Sequence, residues 1–481
     1  MSEKKPFYLT TPIFYPNAKL HMGHAYTTTL SDCIVRFHRE LLGEQTYFLT
    51  GSDENTQKMV DAAKKAGKEP LDFLAEIVGK FAGLFRELNI SYDQFIRTTD
   101  TKQHWPGAQY LWTKLVEAGD IYKKSYEGLY CVGHEAFITE KDLVDGKCPD
   151  HGIEPQFLKE ENYFFKLSRY TEEIKRRIET DELQIVPVSR KAEILSLLNE
   201  GLQDVSFSRP RRAEWPVGLG IPVPGDDSQV MYVWCDALVN YITALGYGNT
   251  DTKLYETFWP ANVHIIGKDI LRFHAAIWPG MLLSAGVPLP KSILAHGFIT
   301  SGGKKMSKSL GNVIDPEELL AEYGTDAVRY FLLRHVSPSE DGDITREAFK
   351  DAYNSGLANG LGNLSSRIMQ LAQTHLEKGT EPKLDALPVA YTEAFESFDV
   401  KRAADIVWDE IQYLDRKITE TAPFKLVKTD LETGKAAIFQ LTQDLYSVAH
   451  LLTPFLPETA QKIKTAVIEN KKPENLFVRK D

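Results

Sequence analysis

Two hydrophobic rhythms alternate along the first third of the chain. Phe7 to Ile13 (FYLTTPI) and Gln45 to Thr50 (QTYFLT) are short apolar runs bounded by turn residues, and each predicts a buried strand. Between them Leu30, Cys33, Ile34, Phe37 and Leu41 recur at helical spacing, which predicts a helix over about 24–42 with Gly43 as its C-cap. Helical patterns at 56–66 and 71–88 and a strand pattern near 93–98 continue the alternation. Strand, helix and strand in turn predict an α/β fold with a mostly parallel sheet covered by helices.

The rhythm breaks after about Gly119. Over 119–227 the pattern is short strands, turns, a cluster of Cys and His, and one charged helix at 170–180. It resumes with VMYVWCDALVNYI (230–242), VHIIGKDI (263–270), a helix to Leu283 and the strand SILAHG (292–297). An α/β domain interrupted by an inserted module accounts for this most simply. From Arg346 onward long amphipathic runs predict an all-helical C-terminal domain, punctuated by Pro382, Pro388, Pro423, Pro454 and Pro457.

Composition narrows the class. Across 481 residues, 43% are hydrophobic and 26% charged, so the chain can bury a large core. No apolar run approaches the roughly 18 residues that would span a bilayer, and the start lacks the apolar stretch of a secretory leader. Four cysteines are too few for a disulfide scaffold, which sets a reducing cytoplasm as the expected compartment. A net charge of −11 argues against a non-specific nucleic-acid coat but leaves room for a specific RNA contact. The helical region, with 16 basic and 19 acidic residues over 351–481, is no basic arm.

Two stretches carry candidate phosphate chemistry. His21-Met22-Gly23-His24 lies between the first strand and its helix, at the strand's carboxyl end, where open α/β sheets bind ligands. A helix N-terminus favours anions, and two imidazoles three residues apart can face one phosphate chain. In isolation such a motif fits an ordinary helix cap at least as well. The second stretch, GGKKMSKS at 302–309, sets Lys305 and Lys308 on a glycine-led loop where both can reach a polyphosphate. There they would act on charge developing in a leaving group. No GxxxxGK[ST] segment is present, so a P-loop is not available.

Together HMGH (21–24) and KMSKS (305–309), in this order, resemble the two signature motifs of class I aminoacyl-tRNA synthetases. TTPIFYPNAKLHMGHAY, TGSDENTQK, HIIGKDILRFHAAIWPGML and HGFITSGGKKMSKSLGN are similar to methionyl-tRNA synthetase blocks, a likeness that covers nearly the whole chain. The resemblance implies a Rossmann-like catalytic domain in two halves, 1–118 and 228–295, split by a connective module with a zinc knuckle at 119–227. A stem-contact region bearing the KMSKS loop (296–350) and a helical anticodon-binding domain (351–481) would follow. It implies activation of methionine by ATP to methionyl-adenylate, then transfer to the 3′-terminal adenosine of tRNA(Met). The related isoleucine, valine and leucine enzymes carry editing insertions larger than the roughly 100-residue module here. A cysteinyl enzyme would need a cysteine-rich metal site beside the substrate. A nucleotidyltransferase acting on a non-RNA substrate would have no use for the helical domain, nor a non-enzymatic RNA binder for both phosphate motifs.

By the same resemblance, His21, Gly23, His24, Gly267, Asp269, Lys305 and Lys308 would bind ATP, with the two His and two Lys catalytic. The methionine pocket would use Ile13, Tyr15, Trp234, Ala237 and Leu238, with Tyr241, Ile270, Phe273, His274 and Trp278 completing an aromatic box suited to a thioether. Asp53 would hold the substrate ammonium, with Arg209 a candidate to orient it. Asn55-Thr56 stands where many relatives have His-Gly.

Cys131-x-x-His134 and Cys148-x-x-His151 form two chelating pairs whose thiolate and imidazole donors suit one structural Zn²⁺. Mg²⁺ would accompany ATP. Asn363 and Arg367, four apart on one helix face, resemble the family's anticodon-reading pair, and Phe424 stands where a stacking tryptophan is usual. Many relatives carry a further dimerisation module, so a monomer is the expectation here.

Overall fold

Phe7–Phe14 (β1) is buried along almost its whole length, as a near-continuous apolar run requires of a central strand in a parallel sheet. It lies in the middle of six strands whose order is Gln94–Arg97 (β3), Thr46–Ser52 (β2), β1, Val263–Gly267, Ser292–His296 and Gln184–Val186. Every pairing is parallel. The chain leaves β1 toward β2 on one side and returns on the other side at Val263–Gly267. The strand order therefore reverses between these two strands, and such a switch point opens a ligand crevice at the strands' carboxyl ends. The structure, a computed structural model, describes residues 6–131, 136–149, 152–212, 215–306, 311–379, 382, 384 and 386–481, except the side chains of 126, 136, 137 and 305.

The stretch 119–227 combines antiparallel strands with two helices, Thr171–Glu179 and Val188–Glu200, which pack into the core behind Tyr8. Ile121–Cys131 runs against Gln156–Phe165, with Ala136–Ile138 and Val205–Ser206 on their outer sides. A second small sheet joins Ser208–Pro210, Asp226–Met231 and Pro222–Val223. The same stretch also lends Gln184–Val186 to the edge of the central sheet. Beyond the central sheet, Ile299–Ser301 pairs with Lys304–Lys305 and with Gly342–Asp343. From Arg346 onward the described residues contain helices only.

Side chains alternate across β1, so it feeds two cores. Phe7 and Leu9 pack with the helix Met22–Arg36 (α1), the helix Pro70–Glu87 and the C-terminal helices. Tyr8 faces the opposite core, with the helices His104–Glu117 and Val233–Thr243. The long helix expected over 24–42 ends its α-helical part at Arg36 and continues as a π turn, Phe37–Leu41, before Gly43 turns at φ +62°. That wider turn sets Phe37 flat against Phe395 at 4.1 Å and His38 against Phe7 at 3.5 Å, binding the helical region to the sheet domain.

A fully buried arginine reinforces this junction. Arg329 Nη1 lies 2.7 Å from Asp32 Oδ2 on α1, and its Nε and Nη2 donate to the Phe455 and Pro454 carbonyls at 2.8 and 2.9 Å. Burial alone would raise the Asp32 pKa. The adjacent Arg329 and Arg36 charges outweigh that and hold it below the usual carboxylate range.

Candidate active site

α1 begins at the mouth of the switch point, and its first turn is closed by its own histidines. His21 is the N-cap: its Nδ1 accepts from the Gly23 N–H at 3.1 Å. His24 Nδ1 accepts in return from the His21 N–H at 3.1 Å. An imidazole nitrogen that accepts a hydrogen bond carries no proton, so in the neutral ring the proton sits on the other nitrogen. Both rings therefore present an Nε2–H donor, and they lie 3.9 Å apart. Burial pushes the His24 pKa well below its ordinary value, and His21 and His296 push the same way. His24 accordingly acts near neutral pH as a hydrogen-bond donor rather than as a fixed cation. Gly23 is needed for a local reason, since a Cβ there would come within 2.9 Å of His21 Cε1.

The strand and hairpin that lead to the second signature stretch are anchored beside the first. The Thr27 hydroxyl, one turn into α1, lies 2.7 Å from His296 Nε2 and 2.9 Å from the Gly23 carbonyl. His296 ends the strand Ser292–His296; its Nδ1–H donates to the Gly297 carbonyl at 2.8 Å, and burial pushes its pKa down to about 4. Gly297 then passes so close to the Glu340 carbonyl that a Cβ would overlap it at 2.1 Å. Asp343 holds the hairpin leading to the lysines, accepting from the Thr300 hydroxyl at 2.8 Å and the Gly303 N–H at 2.9 Å. Gly302 and Gly303 make the turn at φ +62° and +70°, in the left-handed region that glycine tolerates. Lys19 and Glu317, from either side of the two motifs, pair at 2.9 Å. The backbone of Lys305 thus lies in this hairpin, whereas its side chain and Lys308 lie outside the described residues.

Gly267 ends the strand beside β1, and Asp269 follows it. Asp269 is exposed, and its Oδ1 would lie 2.6 Å from a Cβ at Gly267, so the carboxylate folds back over the glycine. The neighbouring Lys268 pairs with Asp341 at 2.6 Å, which ties this strand end to the hairpin as well.

The predicted aromatic residues converge. Trp234 stacks on Phe273 at 3.8 Å, with His274 edge-on to Trp234. Trp278, Tyr241, Leu238, Ala237 and His274 are buried, while Trp234, Phe273, Ile270, Ile13 and Tyr15 are half-buried. His274 Nδ1–H donates to the Ile270 carbonyl at 3.0 Å, so its Nε2 accepts from the Tyr241 hydroxyl at 2.7 Å. Burial drops the His274 pKa to about 4, and the ring stays neutral. Burial also pushes the Tyr241 pKa up, and the Asp53 carboxylate adds to that rise. Asp53 is buried at the end of β2, its N–H bonded to the Phe14 carbonyl at 3.0 Å. Lys58 sits over the Tyr15 ring at 4.5 Å.

Sequence reasoning singled out neither Tyr8 nor Thr10, His264 and His296. The Tyr8 hydroxyl donates to the Tyr241 carbonyl at 2.7 Å, and Thr10 pairs with His264 across adjacent strands. The available signal was a threonine and a histidine interrupting apolar strand runs. Asn55, the departure from the family pattern, turns inward. Its Nδ2 donates to Asp236 at 2.6 Å and its Oδ1 accepts from the Gly220 N–H at 2.9 Å, while His104 contacts the other Asp236 oxygen at 2.6 Å.

Cys131 and Cys148 are buried and form no disulfide, and the Cys148 carbonyl accepts from the Gly152 N–H at 2.7 Å. Two enclosed thiols of this kind fit a soft divalent ion. His134 and His151 lie outside the described residues, and among the described residues no group of three or more candidate ligands converges. On the helical region, Arg367 and the half-exposed Phe424 line one groove of about 360 Å³, with Arg367 paired to Asp415 at 2.6 Å. Asn363 is exposed one turn earlier on the same helix. No helix among the described residues is long and apolar enough to cross a membrane.

The family model described as tRNA synthetases class I (M) matches residues 7–157 and 150–369. The methionine–tRNA ligase of Clostridium acetobutylicum is 45% identical over 97% of this chain and 74% of its own length. That of Rhizobium meliloti is 41% identical over 96% and 92%. Mycobacterium tuberculosis methionyl-tRNA synthetase in complex with methionyl-adenylate superposes with a TM-score of 0.89 at 35% identity, covering 99% of this chain and 100% of that one. The apo form of that enzyme gives 0.83 at 34%, covering 99% of each chain. Sheet order, motif placement and family model agree on the class I aminoacyl-tRNA synthetases. Relatives spanning nearly the whole chain share one amino-acid specificity, and the chain belongs to the methionyl-tRNA synthetase family.

Proposed function

We propose that this chain works as an ATP-dependent methionine–tRNA ligase through two bound-reactant steps. The methionine carboxylate attacks the α-phosphorus of ATP, pyrophosphate leaves, and methionyl-adenylate remains. The 2′-hydroxyl of the terminal adenosine of tRNA(Met) then attacks the adenylate carbonyl and AMP departs. No side chain need form a covalent intermediate, so the protein's contribution is alignment and charge stabilisation. The observation that carries this reading is the pair of tautomer-fixed Nε2–H donors at the switch point, with a polar aromatic box at the carboxyl end of the same strands.

In this assignment His21 and His24 donate to phosphate oxygens, and Lys305 and Lys308 take the charge of the departing pyrophosphate. Gly267 and Asp269 meet the adenosine, and Asp53 holds the substrate ammonium. Ile13, Tyr15, Trp234, Ala237, Leu238, Tyr241, Ile270, Phe273, His274 and Trp278 enclose the methionine side chain. Mg²⁺ bound with ATP would offset charge on the phosphates. Cys131, His134, Cys148 and His151 would hold one structural Zn²⁺, which would brace the connective module; the burial of both thiols supports this. Asn363, Arg367 and Phe424 would read the anticodon, a role supported by the groove that Arg367 and Phe424 share. The proposed division is a catalytic domain split around 119–227, the loop region 296–350 and an anticodon domain over 351–481, in a cytoplasmic monomer.

Amino-acid-dependent ATP–pyrophosphate exchange across all twenty amino acids tests the assignment. Exchange with methionine alone is expected; equal exchange with cysteine or leucine would overturn it.

A further inference from the structure

Trp278 is fully buried, and an indole N–H in such a place must find an acceptor. That acceptor is His264 Nε2, 3.2 Å away on the strand beside β1. Since Nε2 accepts, the neutral ring carries its proton on Nδ1, and Nδ1–H donates to the Thr10 hydroxyl oxygen at 2.7 Å. Thr10 and His264 are register partners on adjacent strands, so the sheet itself fixes this contact. The His264 ring face also stacks on Tyr241 at 4.3 Å. Tyr241 is held at its far end by His274 at 2.7 Å and through its carbonyl by Tyr8 at 2.7 Å. Two neutral imidazoles thus stand behind the two polar aromatic walls, and His264 alone touches both.

We propose that His264, which none of the mechanistic roles above employs, is a positioning residue that sets the depth of the amino-acid slot by holding the Trp278 indole N–H and backing the Tyr241 ring. It acts through these side chains, not by touching substrate. The proposal rests on reading the box as the methionine pocket. Burial keeps the acceptor available, because it pushes the His264 pKa well below its ordinary value, with His274 adding to the effect.

His264→Phe keeps an aromatic surface under Tyr241 but removes the acceptor, whereas His264→Gln restores an acceptor at similar reach and gives up the stacking. The expected result for His264→Phe is a rise of about tenfold in KM for methionine, equivalent to about 1.4 kcal/mol. KM for ATP and kcat of exchange should stay near their parent values, and His264→Gln should recover most of the loss. Thr10→Val, which releases the ring from its fixed tautomer, should raise KM for methionine in the same direction by about threefold, and it carries the test if His264→Phe does not fold. An unchanged methionine KM in the folded variants would overturn the proposal. So would parallel rises for methionine and ATP, or a glutamine variant no better than phenylalanine. Trp278→Phe separates the two readings: an unchanged methionine KM there would bring down the pocket assignment itself. A rise there without one in His264→Phe would remove only the role of His264.

Discussion

Gly23→Ala isolates the proposed catalytic use of the first helical turn from its structural use. The new methyl would sit 2.9 Å from His21 Cε1 and 3.1 Å from His21 Nδ1, so the ring must swing away and give up the bond from the Gly23 N–H. Losing a side-chain N-cap costs about 0.5–2 kcal/mol. Alanine in place of glycine in a helix returns up to about 1 kcal/mol. Stability should therefore fall by no more than about 2 kcal/mol. Chemistry should suffer far more, because one of the two donors proposed to meet phosphate oxygens is displaced. Removing one preorganised donor of this kind costs about 10²–10³ in kcat, or about 2.7–4 kcal/mol. Methionine-dependent ATP–pyrophosphate exchange and thermal unfolding, measured on the same preparation, give the two quantities separately. Exchange within twofold of the parent would refute the role of the His21 ring. A loss of several kcal/mol in stability would refute the claim that the clash is confined to one side chain.

Three further outcomes are expected. Lys308→Ala should slow adenylate formation in pre-steady-state exchange much more than it weakens methionine binding; an unchanged rate would remove the loop from the mechanism. Freshly purified protein should contain one zinc per chain by elemental analysis, and a Cys131→Ser/Cys148→Ser double variant should lack it. Metal-free parent protein would defeat that reading. Arg367→Ala should impair aminoacylation while leaving exchange intact, since its partner Asp415 and the groove lie on the helical region; equal losses in both assays would mean a folding role.

The parallel sheet and the helical C-terminal region were legible because each leaves a local periodic trace: a near-continuous apolar run at Phe7–Phe14, long amphipathic runs from Arg346 onward. The signature stretches were legible because their chemistry is compressed into a few consecutive residues. What escaped notice depends on contacts between distant parts of the chain. Thr10 and His264 are 254 positions apart and gain meaning only from strand register. Asn55 reads from sequence as a lost histidine, yet its role is set by Asp236 and Gly220, which no spacing rule links to it. The π turn at Phe37–Leu41 escaped because its sequence keeps ordinary helical spacing, and only the aromatic partners Phe395 and Phe7 reveal what the wider turn accomplishes.

The Arg329 contact bears on how this chain could be divided. Its guanidinium spans residues far apart in sequence, from Asp32 to Phe455. A cut near position 350 would leave the cation in one fragment with only Asp32 and the Leu88 carbonyl as acceptors, and two carbonyls in the other fragment with their donor gone. Neither piece is a ready-made module for grafting. A transplant of the C-terminal helical region onto another scaffold would have to carry a replacement for that arginine with it.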